Sequence, residues 1–239
     1  MRRKSSEIVT RLCMLSMLAA LGFVLMAFAQ IPYPFAVWLK IECSEIVVFI
    51  AYALYGFTGS LFVAIVKTAL NLLVHGPVGL GIGDLTALFT SLVFIFGIFI
   101  TSHLFKWFKK GWKYRILAYI FITLLVTIVL TLLNAIFITP SYLTVYGENP
   151  HFSTCFNEET INSVVNYLTG SNSTSTNGWV YIGTIAMIYV PFNLMKSGVV
   201  CLIYELIFNR LIFVLGKNSP TFKKYFVGSI FDKKNDEEN

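Results

Sequence analysis

Two stretches of this chain, Leu85 to Thr101 and Ile116 to Thr139, contain no charged residue. Each approaches the roughly 20 apolar residues that an α-helix needs to cross a bilayer. A β-barrel would instead show ten-residue segments of alternating polarity, and continuous apolar runs do not fit that pattern. Composition agrees: 56% of the 239 residues are hydrophobic and 13% charged, against roughly 25% charged in soluble domains. The predicted fold class is all-α, a polytopic membrane protein.

Six candidate spans follow from hydropathy, at about 8–29, 44–57, 59–75, 83–105, 115–139 and 182–213. The second and third are short and separated only by Gly56-Phe57-Thr58-Gly59, which predicts a tight helical hairpin or partly re-entrant helices. The first span is longer than the apolar region of a signal peptide and is expected to remain. Residues 1–215 are expected to form a single six-helix transmembrane domain with the outer loop 140–178 as an insertion, and 216–239 a solvated cytoplasmic tail. That loop exceeds the usual length of structureless connections, which predicts a lid or a disordered insertion. Ser171 to Gly178 has flexible-linker composition and includes an Asn172-Ser-Thr sequon of little weight.

The cations give the topology, because positive loops beside spans stay in the cytoplasm. Arg2, Arg3, Lys4 and Arg11 lie before or early in span one. Lys106, Lys109, Lys110, Lys113 and Arg115 lie between spans four and five, and Arg210, Lys217, Lys223, Lys224, Lys233 and Lys234 near the end. Of the 18 Lys and Arg residues only Lys40, Lys67 and Lys196 fall elsewhere. Six spans place the three clusters on one face, so both the N- and C-termini are predicted cytoplasmic in a multi-pass cell-membrane protein. The net charge of +6 then reads as orientation and contact with anionic membrane lipid. Nucleic acid is not an expected partner, because the charges are split among separate juxtamembrane sites.

Little remains outside the spans for a catalytic head, and no Walker phosphate loop, H-E-x-x-H or C-x-x-C motif occurs. No metal, cofactor or enzyme activity is expected. Cys13, Cys43, Cys155 and Cys201 are scattered and read as small apolar residues, although Cys43 and Cys155 could meet outside the membrane.

Ionisable groups within a bilayer cost several kcal/mol, about 2.5–3.5 on insertion scales, so each implies a partner, a cavity or a ligand. Pro191-Phe-Asn-Leu-Met-Lys196 puts Asn193 and Lys196 three residues apart on one helix face. Asn134 sits near the outer end of span five. Two amides and an ammonium at one depth could bind an uncharged planar ligand with alternating carbonyl and ring N–H groups, because an amide donates and accepts in one plane. Alternatively, the amides bond neighbouring helices and Lys196 pairs with Glu205 or a carbonyl.

The connection Gln30 to Glu45 is aromatic and twice broken by proline, which predicts an ordered, non-helical cap. Tyr33, Phe35 and Trp38 could cover an aromatic ligand or form an interfacial belt. Ser44 reads as the N-cap of span two. Lys67 and Asp84 read as structural, Lys67 pairing with a carboxylate or carbonyl and Asp84 opening a helix. In span one, Cys13, Ser16, Ala20 and Ala27 form a stripe of small residues, suited to internal packing or to an external partner.

Together these segments resemble the substrate-binding S components of energy-coupling factor (ECF) vitamin transporters, most closely the riboflavin-specific branch, over about residues 10–215. The resemblance rests on the aromatic first loop running into Lys40-Ile-Glu-Cys-Ser-Glu45, Tyr55-Gly56 to Gly59 with Lys67, Gly79 to Asp84, Leu132-Leu133-Asn134 and Pro191-Phe-Asn-Leu-Met-Lys196. It implies that Asn134, Asn193 and Lys196 bind the pyrimidine edge of riboflavin and that Leu39 and Lys40 close over it. It further implies an ECF coupling transmembrane subunit and two ABC ATPases as partners, with Ser16 and Ala20 at the docking face. Another vitamin such as folate or pantothenate is the nearest alternative. A stand-alone secondary transporter would be expected to show internal repeats, and none is found. A membrane enzyme would need a convergent catalytic set, whereas His75, His103 and His151 lie in different connections.

Overall fold

The computed structural model describes residues 2–146, 151–172 and 175–218. Of the expected tail 216–239, residues 216–218 continue the last helix, and the rest, like the sequon's Ser173 and Thr174, lies outside the described residues. The chain is helical nearly throughout, as expected. Helix α1 (Arg2–Phe28) leads into strands β1 (Gln30–Tyr33) and β2 (Ala36–Glu42), followed by α2 (Glu45–His75) and α3 (Ile82–Phe99). A short α4 (Trp107–Lys110) precedes α5 (Trp112–Leu133). Then come α6 (Thr139–Val145), α7 (Glu158–Thr169) and α8 (Gly178–Asn218). Among the described residues, five helical stretches are long and apolar enough to cross a membrane.

Helix α2 accounts for two of the six expected spans. Gly56 breaks it at φ 71°, ψ −163°, a region essentially closed to residues with a Cβ. The Lys67 ammonium nevertheless lies 2.7 Å from the Glu45 carboxylate. Along a straight helix those residues would stand about 33 Å apart, so the chain doubles back at Gly56. The hairpin reading holds, and among the described residues the bundle has six legs.

Helix α1 packs on α2, α2 on α3, α3 on α5 and α5 on α8. Leu15, Ala19, Gly22 and Met26 recur at helical spacing and face inward. A Cβ at Gly22 would sit 3.4 Å from Lys67 Cδ, so the missing side chain lets α1 lie close over α2. Ser16 and Ala20 lie on an adjoining, exposed face, which takes them out of internal packing. The core joins the legs through aromatic rings, with Phe49 stacked on Tyr204 at 4.0 Å. Arg11 donates to the Tyr55 carbonyl, Phe57 packs on Phe99, and α3 leads through α4 to Arg115 on α5. Arg11 and the 106–115 cations thus share one end of the bundle, while the cations from Lys223 onward lie outside the described residues.

The predicted cap is a β-hairpin. Strands β1 and β2 pair antiparallel, Gln30 opposite Glu42 and Pro32 opposite Lys40, and lie across the other end of the bundle. Ser44 does precede α2, but its side chain makes no capping bond; it donates to Glu42 and accepts from Lys67 instead. Buried charges outcompete a helix-end N–H for the hydroxyl.

The long outer loop is more ordered than its composition suggested. Its α7 begins where the Asn157 side chain accepts the Glu159 N–H at 3.1 Å and ends at Gly170, φ 68°. Val164 and Val165 bury against Tyr181, Ile185 and Tyr189 of α8. Cys155 donates its backbone N–H to the Ile136 carbonyl at 3.1 Å. All four cysteines are free thiols, Cys43 and Cys155 included.

Candidate ligand site

Proline chemistry shapes one wall of the site. Helix α5 passes into a π-helical turn over Asn134–Ile138 just before Pro140. Pro140 has no N–H to give back to the preceding turn, and the carbonyls upstream find other donors. The Tyr181 hydroxyl bonds the Ala135 carbonyl and Cys155 takes that of Ile136. Wide turns of this kind recur at functional sites. Here the turn opens at Asn134, whose Nδ2 donates to the Leu130 carbonyl at 2.8 Å.

A cavity of about 830 Å³ lies beneath the β-hairpin, among α2, α3, α5 and α8. Its size lies within the range of small-molecule sites, about 300–1,000 Å³. Asn134, Asn193 and Lys196, read from the sequence as one cluster, all line it, as do Trp38, Leu39 and Lys40 of β2. Asn193 is 2% exposed and its Nδ2 lies 3.4 Å from the Thr131 hydroxyl. Neither amide oxygen has a hydrogen-bonding partner among the described residues, which leaves both free to accept from a ligand.

The proposed cover divides. Trp38 lines the cavity, whereas Tyr33 and Phe35 do not. Tyr33 turns into the hairpin's own small core and meets Phe192 edge-on at 5.4 Å. Phe35, at the tip between the strands, is 85% exposed.

Lys196 pairs with Glu42, Nζ to Oε1 3.3 Å, rather than with Glu205 or a carbonyl. Glu205 lies nine positions further along the same helix, about 13 Å away, and is held by Arg115 at 3.1 Å and by the Tyr119 hydroxyl. Burial would raise the Glu42 carboxyl, but the Lys196 and Lys67 ammonium groups outweigh it and hold the group below its ordinary value. Lys67 pairs with Glu45 inside the bundle, the carboxylate partner expected of it. Asp84 does open α3 and accepts from Asn71 Nδ2 at 2.7 Å. Both Asn71 and Asp84 face the cavity.

Sequence reading missed three contributors. Glu42 was passed over as part of the cap. Tyr167 and Leu168 of α7 line the cavity from within the 140–178 loop, for which a lid or a disordered insertion is the sequence expectation. Their signal was present: the Asn157 cap, the acids Glu158 and Glu159, and apolar residues at 161, 164, 165 and 168.

Comparison with known proteins supports one family. Residues 10–208 match the family described as "ECF transporter, substrate-specific component". Over 205 residues the chain is 27% identical to the riboflavin transporter FmnP of Bacillus subtilis (strain 168), covering 85% of this chain and 92% of that protein. A solved structure, described as the S component of a bacterial ECF transporter, superposes with TM-score 0.58 at 25% identity and covers 86% of this chain and 97% of that one. The chain is therefore a multi-pass membrane protein belonging to the substrate-specific components of ECF transporters.

Proposed function

We propose that this chain captures riboflavin from the outer face of the membrane and delivers it inward through an ATP-driven ECF coupling module. The observation that carries the reading is the convergence of Asn134, Asn193 and Lys196 on one cavity beneath Trp38, Leu39 and Lys40. The amides offer in-plane donors and acceptors to a ring edge that alternates C=O and N–H, and the ammonium gives a charge-assisted bond to a ring carbonyl. Trp38 and Tyr167 supply aromatic surface for a flat ligand. The relative's description as a riboflavin transporter supports the same ligand. The exposed Ser16–Ala20 face of α1 is where a coupling subunit would dock, because small residues let a second helix approach closely.

Riboflavin fluorescence titrated with purified protein tests the ligand. Strong quenching at micromolar protein is expected, and its absence from folded protein would sink the assignment. Uptake into liposomes only when the coupling subunit and ATPases are co-reconstituted tests delivery. Uptake by the isolated chain would indicate a secondary transporter instead.

A further inference from the structure

Lys196 does not present a free cation to the cavity. One oxygen of Glu42 lies 3.3 Å from its Nζ, and the other accepts the Ser44 hydroxyl at 3.1 Å. Ser44 Oγ in turn accepts from Lys67 Nζ at 2.7 Å. Lys67 also pairs with Glu45 Oε1 at 2.7 Å, and Ser91 donates to that same oxygen at 2.9 Å. Ser44, Glu45, Lys67 and Ser91 are all fully buried. Two ammonium groups and two carboxylates thus alternate from the cavity wall into the bundle, and their charges sum to zero.

We propose that Glu42 is a positioning residue that holds Lys196 at the cavity wall in a charge-balanced pair, so that the site selects a ligand whose bound edge carries no net charge. The inference rests on the riboflavin reading and adds to it the residue that sets the charge preference. An ammonium has three donors, so one bond to Glu42 leaves others for ligand carbonyls. An anionic ligand edge would meet the buried Glu42 carboxylate, and a cationic one would meet Lys196. A neutral imide edge meets neither penalty. Glu42 is itself held by Ser44 and by the field of Lys67, so Lys196 is held as well.

The test is an absorbance titration of bound riboflavin in the alkaline range, where the ring imide loses its proton. In Glu42→Gln the Lys196 ammonium is no longer balanced and favours the ring anion. The titration midpoint should fall by about 1–3 pH units relative to wild type, and affinity at neutral pH should fall about tenfold, the size of one charge-assisted bond. Adding Lys196→Met to that variant should return the midpoint to the wild-type value, which loss of packing alone would not do. Ser44→Ala keeps every charge, loosens Glu42 and leaves Lys67 its bond to Glu45; it should shift the midpoint in the same direction by a smaller amount, and serves if Glu42→Gln does not fold. An unchanged midpoint and affinity in every variant that binds overturns the proposal. Failure of wild type to bind riboflavin overturns the reading beneath it, and this inference with it.

Discussion

The Trp38 indole and the Tyr167 ring meet at 5.8 Å, joining the β-hairpin to a helix of the long outer loop over the mouth of the cavity. Two segments far apart in sequence thus form one roof. Trp38→Ala and Tyr167→Ala should each speed riboflavin release, by roughly the factor that 0.5–1.5 kcal/mol of an aromatic pair represents, about 2–12-fold. Phe35→Ala, which removes an exposed ring off the cavity, should leave release unchanged. Stopped-flow fluorescence recovery after dilution measures all three, and a Phe35 effect as large as that of Trp38 would return Phe35 to the cover.

The cavity wall gives the binding prediction. Asn193→Ala and Lys196→Ala should each weaken riboflavin by about 1–3 kcal/mol, roughly 5–150-fold, the cost of a lost buried bond. Asn134→Ala should act in the same direction. Quenching titrations measure this, and unchanged affinity in all three variants would move the site elsewhere.

The Lys67–Glu45 pair should be among the most sensitive points of the fold. Removing one partner of a buried pair leaves the other charge uncompensated, at about 3–5 kcal/mol. Lys67→Met should therefore sharply lower the unfolding temperature in detergent. Combining it with Glu45→Gln, which removes both charges, should recover a large part of the loss. A double variant no more stable than the single would assign Lys67 a role other than neutralising Glu45.

Gly56 is the hinge on which that pair depends. At φ 71°, ψ −163° a Cβ is strained whatever space surrounds it, and Gly56→Ala should cost about 1–3 kcal/mol. Gly198→Ala is the control: it lies within α8, where a Cβ would meet nothing within 4 Å, and alanine favours a helix by up to about 1 kcal/mol. Opposite changes in unfolding temperature are expected.

The membrane fold was legible because bilayer-spanning helices need long apolar runs, and the few charges between them order the topology. Asn193 and Lys196 were legible because helical spacing puts them on one face, and an amide and a cation in lipid require a reason. Glu42 was not, because an acid in a polar loop looks ordinary until the cap folds down and brings it to a residue 154 positions away. The roles of Tyr33 and Phe35 were equally hidden, since strand pairing and the turn decide which ring faces inward. In the 140–178 loop, length alone predicts a lid or a disordered insertion, whereas the caps Asn157 and Gly170 mark the helix between them.

Acid should expose the Glu42–Lys196 pair directly. Burial works against ionisation of Glu42, but the two ammonium groups prevail and keep its carboxyl below the ordinary value of 4.5. The folded protein thus binds fewer protons at this site than the unfolded chain. The pair's contribution is complete above 4.5 and is lost as pH falls through the lower folded value. Other carboxylates titrate in the same range, so the informative quantity is the difference in unfolding temperature between wild type and Glu42→Gln. That difference should hold constant from about pH 8 to pH 5 and shrink only below the ordinary carboxylate range. Shrinkage beginning near neutral pH would mean that burial, not Lys196 and Lys67, governs the carboxyl.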